Sequence, residues 1–82
     1  MAYYVYVLRS IRDGRLYTGY TSNLKERIRR HNTGKVPSTR NRIPFVLAYH
    51  EIFDNKADAI KRERYFKTLE GAALKQRLMD AL

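Results

Sequence analysis

The stretch Tyr3-Tyr4-Val5-Tyr6-Val7-Leu8, followed by Asp13-Gly14 and then Leu16-Tyr17-Thr18-Gly19-Tyr20, decides the reading of this chain. Aromatic and β-branched residues at this density suit a pleated, half-buried strand, and Asp-Gly supplies the positive φ of a tight turn, so the segment reads as a β-hairpin. Directly opposed residues of a hairpin closed by an even-numbered loop sum to an odd number. Even positions of the first strand therefore share a face with odd positions of the second, which groups Tyr4, Tyr6 and Leu8 with Tyr17, Gly19 and Thr21. Two phenols, Tyr6 and Tyr17, stand together on that face. Gly19 beside them is expected to leave space for a phosphate or a water. Tyr3, Tyr20, Tyr49 and Tyr65 read as packing residues.

After Thr21 the period changes. Asn23 with Glu26 three residues later resembles a capping box, Leu24 and Ile28 mark an apolar stripe, and Gly34 suits a left-handed stop, which predicts a helix over about 23–33. The polar, breaker-rich segment Lys35 to Ile43 reads as an exposed loop. Phe45-Val46-Leu47-Ala48-Tyr49 begins a third strand, with Pro44 acceptable at its first position. Asp54 or Asn55 can cap a second helix over about 56–69, and Gly71 is expected to separate it from a third over Ala72 to Leu82. The order ββαβαα predicts an α+β fold in which helices cover a three-stranded mixed or antiparallel sheet.

The 82 residues, 44% of them hydrophobic, have room for a single domain over 1–82, and the absence of cysteine excludes a disulfide framework, a thiolate zinc site and a cysteine nucleophile. Met1 to Arg9 is too short to span a membrane and lacks the pattern of a signal peptide, so a cytoplasmic protein without membrane association is expected. Seventeen Lys and Arg against eight Asp and Glu give a charge of +9. The surplus concentrates at Lys25, Arg27, Arg29, Arg30, Lys35, Arg40 and Arg42, which face Glu26 as the one acidic residue of that segment. A solvated helix face is the plainer explanation, and a phosphate backbone is the sharper one. Six such cations on duplex phosphates would give a log–log salt slope of about −5.

Three further groups stand where polarity needs a reason. Glu63 borders the apolar stripe of the second predicted helix, between Ile60 and Phe66; Lys67, four residues on, is its plain ion-pair partner, and a hard cation such as Mg²⁺ is the alternative. Arg27 and His31, four apart, share a face that borders the stripe of the first helix. Either can simply cover the core. Together with the paired tyrosines they offer phenols, a fixed cation, an imidazole and a carboxylate on adjoining elements.

Tyr4-Val5-Tyr6 and, ten residues on, Tyr17-Thr18-Gly19, then Arg27, His31 and Glu63 in order, resemble the GIY-YIG endonuclease superfamily. The continuation His31-Asn32-Thr33-Gly34-Lys35, Pro44, Tyr49 and Glu63 to Lys67 is similar to its small single-domain bacterial branch. Tyr4 replaces the glycine of the first motif and Thr18 the isoleucine of the second. The resemblance implies a divalent-metal-dependent endonuclease that hydrolyses DNA phosphodiesters by tyrosine-assisted water attack, with DNA repair as a fitting setting. It implies that Tyr17 positions or deprotonates the water with Tyr6 beside it, that Arg27 stabilises charge on the phosphate, that His31 relays a proton, and that Glu63 holds one Mg²⁺ or Mn²⁺. A phenol of pKa about 10 is a poor base unless its pKa falls or it passes its proton onward, and lowering it to about 7.5 requires roughly 3.5 kcal/mol. Lys25, Arg29, Arg30, Lys35, Arg40, Arg42 and Lys67 are expected to bind nucleic acid, DNA first and RNA second. Further affinity is expected from a homodimer or an accessory protein. The rival reading is a DNA- or RNA-binding module that uses the same basic surface without catalysis.

Overall fold

The computed structural model describes all 82 residues. The hairpin forms as read: β1 (Tyr3–Ser10) pairs antiparallel with β2 (Leu16–Thr21), Tyr4 opposite Thr21, Tyr6 opposite Gly19 and Leu8 opposite Tyr17. Its turn places Gly14 at φ 72°. The next element, α1 (Leu24–Asn32), starts where Asn23 accepts a hydrogen bond from the Glu26 N–H, and the chain leaves it through Gly34 at φ 76°. Only half of the expected capping box forms, because the Glu26 carboxylate turns to Arg29 instead.

The third strand, β3 (Phe45–Phe53), joins the other side of β1, so the sheet is fully antiparallel in the order β2-β1-β3. Between Val7 and Leu8 its register slips by one residue, leaving Ala48 as the bulged position. The slip reverses which face odd-numbered residues of β3 occupy, as a bulge must in a structure of period two. Tyr49 and Phe53 consequently pack with Val5 on one face, while Phe45 packs with Tyr6 and Leu8 on the other.

Two helices close the chain, α2 (Lys56–Phe66), capped by Asn55, and α3 (Leu69–Asp80), capped by Thr68. The second helix ends sooner than its sequence suggests, since the Thr68 hydroxyl already caps Gly71. Gly71 does not separate the helices. It lies inside α3, where a Cβ would stand 1.7 Å from the Tyr65 carbonyl oxygen, so its lack of a side chain lets α3 close against the end of α2. These two helices cover the Val5 face with Ala59 and Phe66, and Tyr3, Tyr20, Tyr49 and Tyr65 pack around them as expected. Helix α1 covers the opposite face through Leu24 and Ile28, and its end is clamped to β3 by Asn32, which donates to the Phe45 carbonyl and accepts from the Phe45 N–H. No helix is long and apolar enough to cross a membrane.

The segment from Lys35 to Ile43 departs from the exposed loop expected of it. Val36 and Thr39 are buried, Thr39 completely, and Arg40–Arg42 forms a 3-10 turn. Arg42 ties this segment to the hairpin turn through Asp13 at 2.9 Å and lies 5.5 Å over the Phe45 ring. The Arg15 backbone N–H and the Arg42 guanidinium hold the Asp13 carboxyl down at about 2.

Candidate active site

On the α1 face, hairpin parity and helical spacing bring four of the five anticipated side chains into contact. Tyr6, almost fully buried at the centre of β1, has its hydroxyl 2.9 Å from His31 Nε2, and Arg27 Nε donates to the same oxygen at 3.3 Å. Arg27 and His31 reach one atom because they stand one helical turn apart on α1. Tyr17 packs against this pair, its ring centroid 5.0 Å from that of His31 and 6.5 Å from that of Tyr6. The cluster's hydrogen bonds leave the Tyr17 hydroxyl unused, and its side chain stays half-exposed. One phenol is thus locked and the other open.

Gly19 serves this packing differently from the expectation. A Cβ there would lie 2.5 Å from the Tyr6 hydroxyl oxygen and 2.7 Å from the adjoining ring carbon. The space that glycine leaves is filled by the Tyr6 phenol, not kept open for a ligand.

Electrostatics separates the members. Burial raises the Tyr6 pKa above its ordinary 10, and the Arg27 hydrogen bond opposes that rise without cancelling it. His31 is completely buried, and desolvation, reinforced by the Arg27 charge, pushes its pKa from 6.5 down to about 4. At neutral pH Tyr6 is therefore a protonated phenol and His31 a neutral imidazole. Arg27 bonds to Tyr6, not to Tyr17.

Glu63 approaches from the helix on the other face of the sheet. Its side chain, 13% exposed, forms an ion pair with Lys67, so the plain partner read from the sequence is realised. It makes no hydrogen bond to the four clustered groups, yet its charge is felt at Tyr6, where it adds to the forces that keep the phenol protonated. Lys67 itself is exposed. Nearby, Lys75 of α3 donates to the buried Thr18 hydroxyl at 2.9 Å, and desolvation, with the Lys67 charge, lowers its pKa. Sequence reading missed Lys75, since one lysine on an amphipathic helix gives no signal of its own.

The basic surface is smaller than the sequence count suggested. Arg29 is engaged by Glu26 at 2.6 Å, Arg42 by Asp13 and Lys67 by Glu63. Lys25, Arg30, Lys35 and Arg40 are exposed and have no acidic partner. The two concavities of the surface, one against Tyr4, Leu24, Ile28 and Leu47, the other against Phe53, Arg62 and Tyr65, have neither Tyr6 nor Tyr17 in their walls.

The GIY-YIG catalytic domain matches residues 2–77, a span that holds the tyrosine pair of the hairpin and the arginine and histidine one helical turn apart. The chain belongs to the GIY-YIG nuclease family. Among its relatives it is 49% identical to a UPF0213 protein of Bacillus licheniformis over 69 residues, covering 83% of this chain and 70% of that one. It is 46% identical to a UPF0213 protein of Staphylococcus haemolyticus over 67 residues, 80% of each chain. The solution NMR structure of a UPF0213 protein from Bacillus halodurans superposes with a TM-score of 0.57 at 38% identity, over 95% of this chain and 83% of that one.

Proposed function

We propose that this protein is a divalent-metal-dependent endonuclease that hydrolyses DNA phosphodiesters by attack of water beside Tyr17. The observation that carries the reading is the division of labour between the two phenols: Tyr6 is fixed by Arg27 and His31, while Tyr17, packed edge-on to His31 and tilted against Tyr6, keeps a free hydroxyl at the surface. Tyr17 would hold the attacking water and take its proton as attack proceeds. Arg27, with two further guanidinium nitrogens beyond its bond to Tyr6, would meet the negative charge that builds on the phosphate. His31 would hold Tyr6 through its ring nitrogen, and Tyr6 would keep Tyr17 in place. Lys67 and Lys75 lie on the Glu63 side, where the departing strand would carry its charge.

Glu63 fits a hard cation as a single carboxylate, since magnesium is commonly held by one or two carboxylates with water and phosphate oxygens completing its octahedron. At that position Mg²⁺ or Mn²⁺ would supply Lewis acidity to a phosphate oxygen. Lys25, Arg30, Lys35 and Arg40 would carry the phosphate backbone.

The test is incubation of the protein with supercoiled, single-stranded and branched DNA and with RNA, in Mg²⁺ or Mn²⁺, beside Glu63→Ala. Metal-dependent cutting by the parent, lost at least a hundredfold in the variant, is expected. Binding without cutting under any metal would instead identify a non-catalytic module. The four free cations should contribute about −3.5 to the log–log salt slope of duplex affinity, and replacing all four by alanine should remove that share.

A further inference from the structure

The imidazole of His31 is fully buried between two hydroxyls. Nε2 lies 2.9 Å from the Tyr6 hydroxyl, and Nδ1 lies 2.8 Å from Thr39 Oγ1. Thr39 is itself completely buried and has the Val36 carbonyl oxygen 3.4 Å away. A neutral imidazole has one donor and one acceptor, so two arrangements are open in principle.

Arg27 selects between them. Its Nε can only donate, so the Tyr6 oxygen accepts one hydrogen bond there. If His31 also donated from Nε2, the Tyr6 oxygen would accept twice and the Tyr6 proton would have no acceptor. Tyr6 is 1% exposed, so water cannot easily supply one. A buried unsatisfied donor costs about 1–3 kcal/mol, a bias of roughly fivefold to 150-fold against that tautomer. With the proton on Nδ1, every donor has a partner: Arg27 donates to Tyr6, Tyr6 to His31 Nε2, His31 Nδ1 to Thr39, and Thr39 to the Val36 carbonyl.

We infer that Thr39 is a positioning residue that accepts from Nδ1–H of His31, fixes the imidazole in that tautomer, and so aims a bare Nε2 at the Tyr6 hydroxyl. One hydroxyl thereby orients a chain of four side chains drawn from α1, β1 and the 35–43 segment. The direction of the chain also leaves Tyr6 unable to act as the acceptor of a proton from His31. Since Tyr6 is 1% exposed and Tyr17 is partly open to solvent, a proton taken from water would fall to Tyr17, a consequence that rests on the nuclease reading above, whereas the tautomer does not.

Long-range ¹H–¹⁵N spectra of histidine-labelled protein at pH 7 read the tautomer directly, with His31→Asn assigning the signals against His50. His31 should show a protonated-type Nδ1 and a bare-type Nε2. Thr39→Ser should preserve that pattern, and Thr39→Val should shift His31 toward the Nε2–H form. A predominantly Nε2–H His31 in the parent would overturn the assignment, with no variant needed. An unchanged pattern in folded Thr39→Val would overturn the role of Thr39. If the protein cuts DNA, Thr39→Val should lower kcat about tenfold to a hundredfold, the order of loss known for the hydrogen-bond partners of metal-bound histidines, with KM little changed and Thr39→Ser restoring the rate. A parent with the Nδ1–H tautomer and no cutting would contradict the nuclease reading alone.

Discussion

The face of the sheet under α2 and α3 buries Val5, Ala59 and Phe66 among tyrosine rings, whereas the face under α1 buries Tyr6, His31 and Thr39 beside Leu8 and Phe45. On the first face burial converts directly into stability through apolar area and close packing. At its margin Arg62 pairs with Glu51 at 2.8 Å and lies over the Phe66 ring, and Lys75 donates to the buried Thr18 hydroxyl. On the second face much of that gain is offset by desolvation of polar groups, and what is obtained in return is direction, since each hydrogen bond fixes the next. Polar burial of this kind is costly in a chain of 82 residues. Its location beneath a free tyrosine is what the proposed nuclease reading requires of this face.

Three perturbations should separate the faces. The largest is Phe66→Ala, which opens a cavity in the apolar face and should lower unfolding free energy by about 3–5 kcal/mol in urea titrations. The His31 tautomer in molecules still folded should not change. A loss well under 2 kcal/mol would mean that the α2 and α3 face is not the stabilising one.

Acid should act on the other face. The unfolded chain protonates its histidines near pH 6.5, while folded His31 resists until about 4. Between these values the unfolded state binds more protons, so stability must fall as pH falls through that window, by about 3 kcal/mol in all and about 2 kcal/mol by pH 5. Carboxylates held low in the fold, such as those of Asp13 and Glu51, add their own losses only as pH drops below their ordinary values of 3.8 and 4.5. Equilibrium unfolding at pH 7 and pH 5 should therefore differ in the parent and differ much less in His31→Gln.

The smallest perturbation is Gly19→Ala. Its methyl must displace the Tyr6 ring, a form of overpacking that should cost about 1–3 kcal/mol and break the Tyr6–His31 hydrogen bond. Thermal unfolding and the His31 nitrogen shifts should move together; a shift in neither would mean that Tyr6 is less tightly held than its contacts imply.

The hairpin, its parity and the meeting of Arg27 with His31 were legible in the sequence because each depends on local rules, a turn dipeptide, strand alternation and helical spacing. Thr39 was not. A threonine among Pro37, Ser38 and Arg40 carries every mark of solvent exposure, and only the return of the chain beneath α1 reveals that it is buried. Gly71 was misread for a related reason, since a helix-breaking residue and a close-approach residue look alike until the neighbouring backbone is known. The register slip near Val7 left no signal, and Glu63 was legible as an ion pair and as a metal ligand alike, because both uses place a carboxylate at the border of an apolar stripe.

The most direct test of the account pairs two readings on Tyr17→Phe, the metal-dependent cleavage rate and the affinity for the same DNA. Removal of one hydroxyl that makes no internal hydrogen bond should leave folding and affinity within about twofold while cleavage falls a hundredfold or more, the order of effect that positioned proton transfer supplies. Cleavage that persists undiminished in the variant would contradict the assignment of the open phenol as the group that handles the attacking water.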